Sequence, residues 1–514
     1  MSNPIIPKIR ANWTIIYWIV FGAIIGTYLF LSFYKINFPA FYYDEVLYTS
    51  SIFNSCNKNG FNVLVLRFGG ICFPILVMAY IGALKSYFFI LFSNFEFVNS
   101  YVFFRGFSIV IGSISLFIMA GIFQILKFKK TISLTLLLLI GLNSSYIFAN
   151  KYDFGPVSIA ILLKSLLILV AIKYFQTRNK KLIFLAVILT LLGTFNKIDF
   201  AFFLLTFSPF LLSSISFRVS RLSPLSSRLF FLVSIFLVSS LFYLVSRISS
   251  LVSFLSSSFT ASSNPLGTIW TLHNVLIGNA FSAVITDAYL QSNLEWVIYL
   301  GLLILLFLGI KFKSKYTKHE KLFYICTLLY FVIVLFFPKS GGPHHIISMH
   351  PIPLILIGIV LNKIQFKKLG VILLGGFLAI YIAHNLIIYT KSIEMFKKDK
   401  VNVSWSKATE VLYDKLKKEY SNKIIYTTDW GISNQLIMYS KYNLDIREPF
   451  RPIRLLDNAN HLESIRKLDT KNSVAVKFYS DVVLSPAIDS FPFSNYENSE
   501  IVDFMGIKRF IIYY

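Results

Sequence analysis

Phe41-Tyr42-Tyr43-Asp44-Glu45 follows directly on the first long apolar run of the chain, and the reading of these five residues decides the rest. Two adjacent carboxylates where a membrane helix meets water are costly to hold near lipid, so they need a cavity, a partner or a task. Solvated charges at a helix end are the plain account of them. The three rings before them favour a task, because a weakly polar, aromatic-lined setting raises a carboxylate's proton affinity towards the range useful to a general base. Asp44 and Glu45 are therefore the candidate catalytic pair, with Tyr43 beside them as a candidate substrate contact.

The surrounding chain is that of a polytopic membrane protein. Of its 514 residues 56% are hydrophobic and only 14% charged, and its mean hydropathy is +0.68, far from the values of a water-soluble globular domain. The formal charge of +25 does not indicate nucleic acid, because Lys and Arg fall in short clusters between apolar runs, as cytoplasmic loops should. Cys56, Cys72 and Cys326 lack metal-ligand spacing. Cys56 and Cys72 fall on one side of the membrane, where a disulfide and two free thiols are both open readings.

Working outward, Trp13 to Phe33 is the first span, since a crossing needs about 17 to 25 mainly apolar residues. Lys8 and Arg10 precede it, which puts the N-terminus in the cytoplasm and Asp44-Glu45 on the external side. Residues 34–101 form a long first external loop whose broken apolar stretches fit helices lying along the outer interface. Spans then run from Phe103 to Leu126, Thr131 to Phe148, Gly155 to Tyr174, Leu182 to Phe195, Phe200 to Phe217 and Leu229 to Ser246. A Ser-rich external stretch reaches about Asn293, and further spans follow at Glu295 to Ile310, Leu322 to Phe337, His350 to Leu361 and Gly370 to Tyr389. That makes about eleven, with the C-terminus external. From 391 to 514 the composition is that of a soluble domain: Ser404 to Tyr420 has helical period, while Lys423 to Thr428, Ser473 to Phe478 and Lys508 to Tyr513 read as strands of a small α/β module. The fold class is thus an all-α membrane domain, 1–390, with a C-terminal α/β domain. No fixed-period repeat and no phosphate-binding Gly loop is present.

This topology gathers Lys85, Arg105, Tyr152, Asp153, Lys197, Asp199, His273, His344 and His345 on the external side with the acidic pair. Basic residues on the face that positive-inside bias depletes point to capture of an anion. Lys85 and Arg105 are candidate phosphate ligands, with snorkelling at the interface as the alternative. Tyr152-Asp153 ahead of Gly155-Pro156 also suits a simple chain reversal. Lys197 and Asp199 sit between two short apolar runs, near membrane depth, as a functional pair or a local ion pair. His344-His345 with His350 match no standard metal site.

In these features the chain resembles the GT-C glycosyltransferases, most closely the protein O-mannosyltransferase and aminoarabinose transferase-like members. Asp44-Glu45 is similar to that family's first-loop acidic motif, and Tyr152-Asp153-Phe154-Gly155-Pro156 to the segment opening its fourth span. Pro351-Ile352-Pro353 resembles a segment that the family usually precedes with Arg-Tyr; here His344-His345 stand upstream instead. The resemblance implies a polyprenyl-phosphate sugar donor in the bilayer and inverting transfer to a hydroxyl of a glycan, lipid or protein acceptor. Asp44 would be the base, Glu45 would orient the acceptor, and Lys85, Arg105 and Lys197 would neutralise the leaving phosphate. It leaves open a divalent metal ion and implies a bacterial inner membrane location. The rival readings are a polysaccharide polymerase or ligase, and a transporter or flippase of lipid-linked sugars, which would show paired, interrupted helices.

Overall fold

A computed structural model of the chain describes residues 5–53, 56, 64–78, 81–153, 155–177, 179, 181–207, 265–290, 292–311, 316–336, 342–364, 368–429, 431–448, 468–479 and 491–514. The span expected at Leu229 to Ser246 and the far half of Phe200 to Phe217 lie outside these residues. The membrane part is a helical bundle: α1 (Ile5–Phe33), α2 (Thr49–Phe53), α3 (Leu84–Ile90), α4 (Tyr101–Ile125), α5 (Lys130–Gly141), α6 (Ser144–Tyr152), α7 (Val157–Thr177) and α8 (Lys181–Asn196), followed by helices Pro265–Ile277, Ala280–Thr286, Glu295–Lys311, Lys318–Phe336, Pro343–Ile346, Pro351–Lys363 and Lys368–Lys397. Among the described residues five helices are long and apolar enough to cross a membrane, and seven if each of two bent pairs counts as one crossing.

The bent pairs are α5–α6, at 55°, and Pro265–Ile277 with Ala280–Thr286, at 107°. Their breaks meet. Asn143, extended between α5 and α6, caps α6 by accepting from the Tyr146 N–H, and its Nδ2 donates to the carbonyls of Val275 and Leu276. Ser144 Oγ donates to the Gly278 carbonyl at 2.5 Å. Gly278 has φ +99°, and a Cβ there would lie 1.9 Å from Asn385 Oδ1, so glycine alone permits this crossing. The polar groups of each break thereby satisfy those of the other, which is how interrupted helices persist at depth. The sequence reads 247–293 as one polar external stretch; its part 265–286 is instead this second bent pair, because the Gly278-Asn279 break leaves each helix too short for a hydropathy window.

The first loop also differs from its reading as interfacial helices. It holds a β-hairpin, β1 (Leu64–Phe68) and β2 (Ile71–Met78), joined by Gly69-Gly70, then β3 (Ile81–Gly82) beside β2. Pairing of Leu66 with Phe73 and of Phe68 with Ile71 puts these four side chains on one exposed face. That period of two lies within the broken apolar stretches whose sequence fits helices along the outer interface. Cys56 and Cys72 form a disulfide. The loop encloses a core of its own, with Phe41, Val46, Leu47, Tyr48, Val77, Ile81, Phe89 and Phe104.

After the 30-residue helix Lys368–Lys397, which runs past the expected end at Tyr389, the chain forms a five-stranded sheet of β4 (Ile424–Thr427), β5 (Asp445–Arg447), β6 (Ser473–Phe478), β7 (Ser499–Phe504) and β8 (Ile507–Tyr513). The order is β5-β4-β6-β8-β7, with β4 parallel to β5 and β6 and the remaining pairs antiparallel. Helices Ala408–Glu419 and Ile432–Ser440 pack on it through Leu412, Leu416, Leu436 and Ile437. The three strands and the first helix read from sequence are present; β5 has only three residues and β7, Ser-Glu-Ile-Val-Asp-Phe, is broken by two acidic residues, so neither carries a clear strand pattern.

Candidate functional site

Arg105, near the start of α4, organises the acidic loop. Its Nε and Nη2 donate to the two Glu45 carboxylate oxygens at 2.6 and 2.8 Å, Nη1 donates to the carbonyls of Ile36 and Pro39, and Nη2 also donates to that of Ala40. All five guanidinium N–H donors are therefore engaged. The rings of Tyr101 and Tyr152 lie 4.8 and 4.7 Å from the guanidinium carbon. Glu45 in turn accepts from the Tyr42 N–H at 3.2 Å and closes the turn. Burial pushes the Glu45 carboxyl up, and the guanidinium opposes that shift. Both side chains of the pair are buried, and the pair serves as the frame of the loop.

A second buried pair lies beside it. Asp153 ends α6 in the left-handed conformation and accepts from Lys85 Nζ at 2.9 Å, Ser108 Oγ at 2.8 Å and the Ser158 N–H at 2.7 Å, so it ties α3, α4 and the start of α7 together. Tyr152 donates to the Phe38 carbonyl at 2.9 Å. Lys151 Nζ donates to the carbonyls of Tyr34 and Lys35 just beyond α1. The sequence places Lys85 and Arg105 as cations open to a phosphate or snorkelling at the surface. Both are instead buried and already neutralised by a carboxylate, since an unpaired charge at this depth would be prohibitive.

With Glu45 committed to Arg105, Asp44 is the partly exposed carboxylate of the motif. Its field reaches Lys197, which follows α8 and is held by a bridge between the Lys197 and Ile81 backbones. Gly82 makes this possible: a Cβ there would lie 1.9 Å from the Phe195 carbonyl oxygen. Lys197 Nζ is 3.9 Å from Asp199 Oδ2, and His345 Nδ1 approaches the same oxygen at 3.8 Å. Burial lowers the Lys197 ammonium, with Asp199 opposing. Burial alone would raise Asp199, but Lys197, Lys164 and His345 outweigh it and hold that carboxyl below its ordinary range. Asp199 Oδ1 is buried without a hydrogen-bond partner among the described residues. Gly155, with φ +77°, passes so close that a Cβ would stand 3.9 Å from Lys197 Nζ. Beneath, Lys164 of α7 donates to Tyr330 Oη at 2.9 Å and Ser348 Oγ at 2.7 Å. The His344 ring packs against that of His345, tilted at 43° with centroids 4.2 Å apart.

The fold resembles that of ArnT. Two crystal structures of ArnT from Cupriavidus metallidurans, one bound to undecaprenyl phosphate and one in the apo state, superpose with TM-scores of 0.57 and 0.56, at 11% identity and with 98% of each chain covered. The GT-C-like fold expected from the sequence, a helical membrane domain followed by a sheet-containing domain, is present. No protein-family model matches the chain, and no curated protein matches it by sequence.

Of the residues singled out in the sequence, the fold brings Asp44, Lys197, Asp199, His344 and His345 into one polar group, and places Glu45, Arg105, Lys85, Tyr152 and Asp153 in the buried scaffold behind it. Tyr43 packs against Tyr42, centroids 4.1 Å apart, and faces the C-terminal domain at Gly431. His273 is not part of the group: it stacks on Trp270 in helix Pro265–Ile277. Lys164 and Ser108 carry no sequence signal beyond a polar residue inside an apolar span, which for Lys164 is itself the signal. Among the described residues no group of three or more His, Cys, Asp or Glu side chains is placed to hold a metal ion.

Proposed function

We propose that the chain is a membrane glycosyltransferase of GT-C type that moves a sugar from a polyprenyl-phosphate donor to an acceptor hydroxyl on the external face. The observation that carries this reading is the division of labour in the acidic motif: Glu45 is buried in its ion pair with Arg105, while Asp44, partly exposed, acts electrostatically on Lys197 of the Lys197–Asp199–His345 group. Asp44 takes the proton of the acceptor hydroxyl. The acceptor oxygen then bonds to the anomeric carbon from the side opposite the phosphate, the carbon–oxygen bond to phosphate breaks, and the configuration inverts. Lys197, oriented by Asp199, neutralises the departing polyprenyl phosphate, with Lys164 adding positive field from below. Lys85 and Arg105 act through the carboxylates they hold. That an ArnT with the same fold was solved with undecaprenyl phosphate supports a lipid-linked donor here. The Lys/Arg asymmetry supports an inner-membrane protein with its C-terminal domain external.

The test is transfer from a panel of undecaprenyl-phosphate-linked hexoses and pentoses by the purified chain in detergent or vesicles. Transfer by wild type and its loss in Asp44→Asn, at equal expression, are expected. Wild-type turnover in Asp44→Asn overturns the assignment. One observation favours a second reading, transport of the lipid-linked sugar: the two interrupted helix pairs meet at Asn143 and Gly278, as transporter sites do. Their polar groups largely satisfy one another, so they form a pin and not a vacant binding site. Movement of donor across vesicles with no acceptor product would favour transport.

A further inference from the structure

We propose that the C-terminal domain is part of the transfer site, its helix Ile432–Ser440 setting the shape of the acidic loop with Gln435 as positioning residue; this rests on the role given above to Asp44. The contact is specific. Gln435 Nε2 donates to the Phe41 carbonyl at 2.5 Å and to the Ser404 carbonyl at 2.8 Å, joining the first loop to the segment that leads into the C-terminal domain. The Ala40 N–H donates to the Trp405 carbonyl, and the Trp405 ring stacks on Tyr42 with centroids 4.1 Å apart and planes 7° from parallel. Thr49 Oγ1 donates to the Asn434 carbonyl, and Tyr442 and Ser50 share a hydrogen bond at 3.0 Å. Met438 is buried in the hydrophobic core of the first loop. Residues 40–50 are thus gripped along their length, the turn that presents Asp44 included.

Gly431, which precedes the helix, shows how tight the fit is. Its φ is +89°, and a Cβ on it would lie 2.3 Å from Tyr43 Cβ and 2.5 Å from Tyr43 Cγ. Any side chain there must drive Tyr43, and with it the neighbouring Asp44, away from the domain. Gly431 lies four residues beyond the end of β4, so the face turned to the acidic loop is the carboxyl edge of the parallel strands β4 and β6. That edge is where open α/β sheets present loops to ligands. Arg105 fixes the loop from the membrane side and Gln435 from the opposite side. Asp44 is held between two anchors that meet only in the folded whole.

The experiment compares Gln435→Ala, the volume-conserving Gln435→Met and Gly431→Ala with wild type and with Glu500→Gln, whose side chain pairs with Lys415 and sits on the edge strand β7. Three quantities are measured: hydrogen exchange of peptides covering 41–52 and 473–478, kcat and donor KM in the transfer assay, and binding of undecaprenyl phosphate alone. In the first three variants exchange is expected to rise at least tenfold in 41–52 and stay within twofold in 473–478. Their kcat should fall ten- to a hundredfold, with donor KM and undecaprenyl phosphate binding within about threefold of wild type. Glu500→Gln should leave all three unchanged. Unaltered exchange in 41–52, or raised exchange with unaltered kcat, overturns the proposal, as does a loss of kcat that merely follows the folded fraction. A wild-type chain without transfer activity would instead overturn the function proposed above, while exchange still tests the grip of the helix on the loop.

Discussion

Glu45→Gln removes one charge from the most completely bonded ion pair among the described residues and changes almost nothing in shape. Arg105 is 1% exposed, and its two shortest contacts to a carboxylate, 2.6 and 2.8 Å, both go to Glu45. The other three bonds of the guanidinium end on neutral carbonyls of Ile36, Pro39 and Ala40, which cannot balance it. Breaking a buried pair by removing one partner costs about 3–5 kcal/mol. The new carboxamide oxygen can still accept one bond, so the lower end applies, about 3 kcal/mol, or roughly a hundredfold in the ratio of folded to unfolded chain. Unfolding of the purified protein in mixed detergent, followed through the transition, measures this. Pairing Glu45→Gln with Arg105→Met should return part of the loss, because the stranded charge is gone, giving a coupling above about 1 kcal/mol. A Glu45→Gln variant within 0.5 kcal/mol of wild type, or single effects that simply add, would refute the framing role; both thresholds are about the error of such cycles.

Asp44→Asn should show the opposite phenotype, unchanged stability with transfer lowered by about 10²- to 10⁴-fold, the usual cost of losing a general base; a stability loss without a rate loss would exchange the roles of the two carboxylates. Lys197→Ala should weaken donor use by about ten- to a hundredfold, read from donor-concentration dependence, as expected for a charge-assisted contact of about 1.5–3 kcal/mol; Lys85→Ala should instead act on folding, because it strands Asp153, and equal melting of Lys85→Ala and wild type would return Lys85 to the surface. Reduction of the Cys56–Cys72 disulfide, which closes a 16-residue separation, should raise hydrogen exchange in the first loop, with a chain-entropy effect of about 3 kcal/mol, and no change on reduction would contradict it. Burial pushes the Asp429 carboxyl up to about 6, so the folded chain binds this proton more tightly than the unfolded one. Its contribution is fully present below the unfolded value of about 4 and is lost as pH rises to about 6, some 3 kcal/mol in all. The stability difference between wild type and Asp429→Asn should fall across that window and stay level above it; a difference independent of pH from 4 to 7 would refute the shift.

Much of this protein could be read from its residues alone, because membrane helices are specified by length and hydropathy, quantities local to each segment. The first helix, the Tyr101–Ile125 and Val157–Thr177 helices, and the strands β4, β6 and β8 of the C-terminal domain lie close to where their apolar runs put them. The acidic motif and Lys197 were visible for the same reason, since charge beside an apolar run is conspicuous. What the residues could not say is which charge meets which. Lys85 finds Asp153 across 68 positions and Arg105 finds Glu45 across 60, and only those pairings bury both cations in ion pairs, while the fold brings Asp44 within electrostatic reach of Lys197. The β-hairpin of the first loop and the crossing at Gly278 were hidden too, the one because cross-strand pairing creates its face and the other because the break is stabilised by Asn143, Ser144 and Asn385 from elsewhere in the chain. The grip of helix Ile432–Ser440 on the acidic loop joins residues almost 400 positions apart, through a backbone carbonyl and a missing Cβ at Gly431. Neither leaves a pattern in a sequence, because both act through the backbone and only once two domains have met.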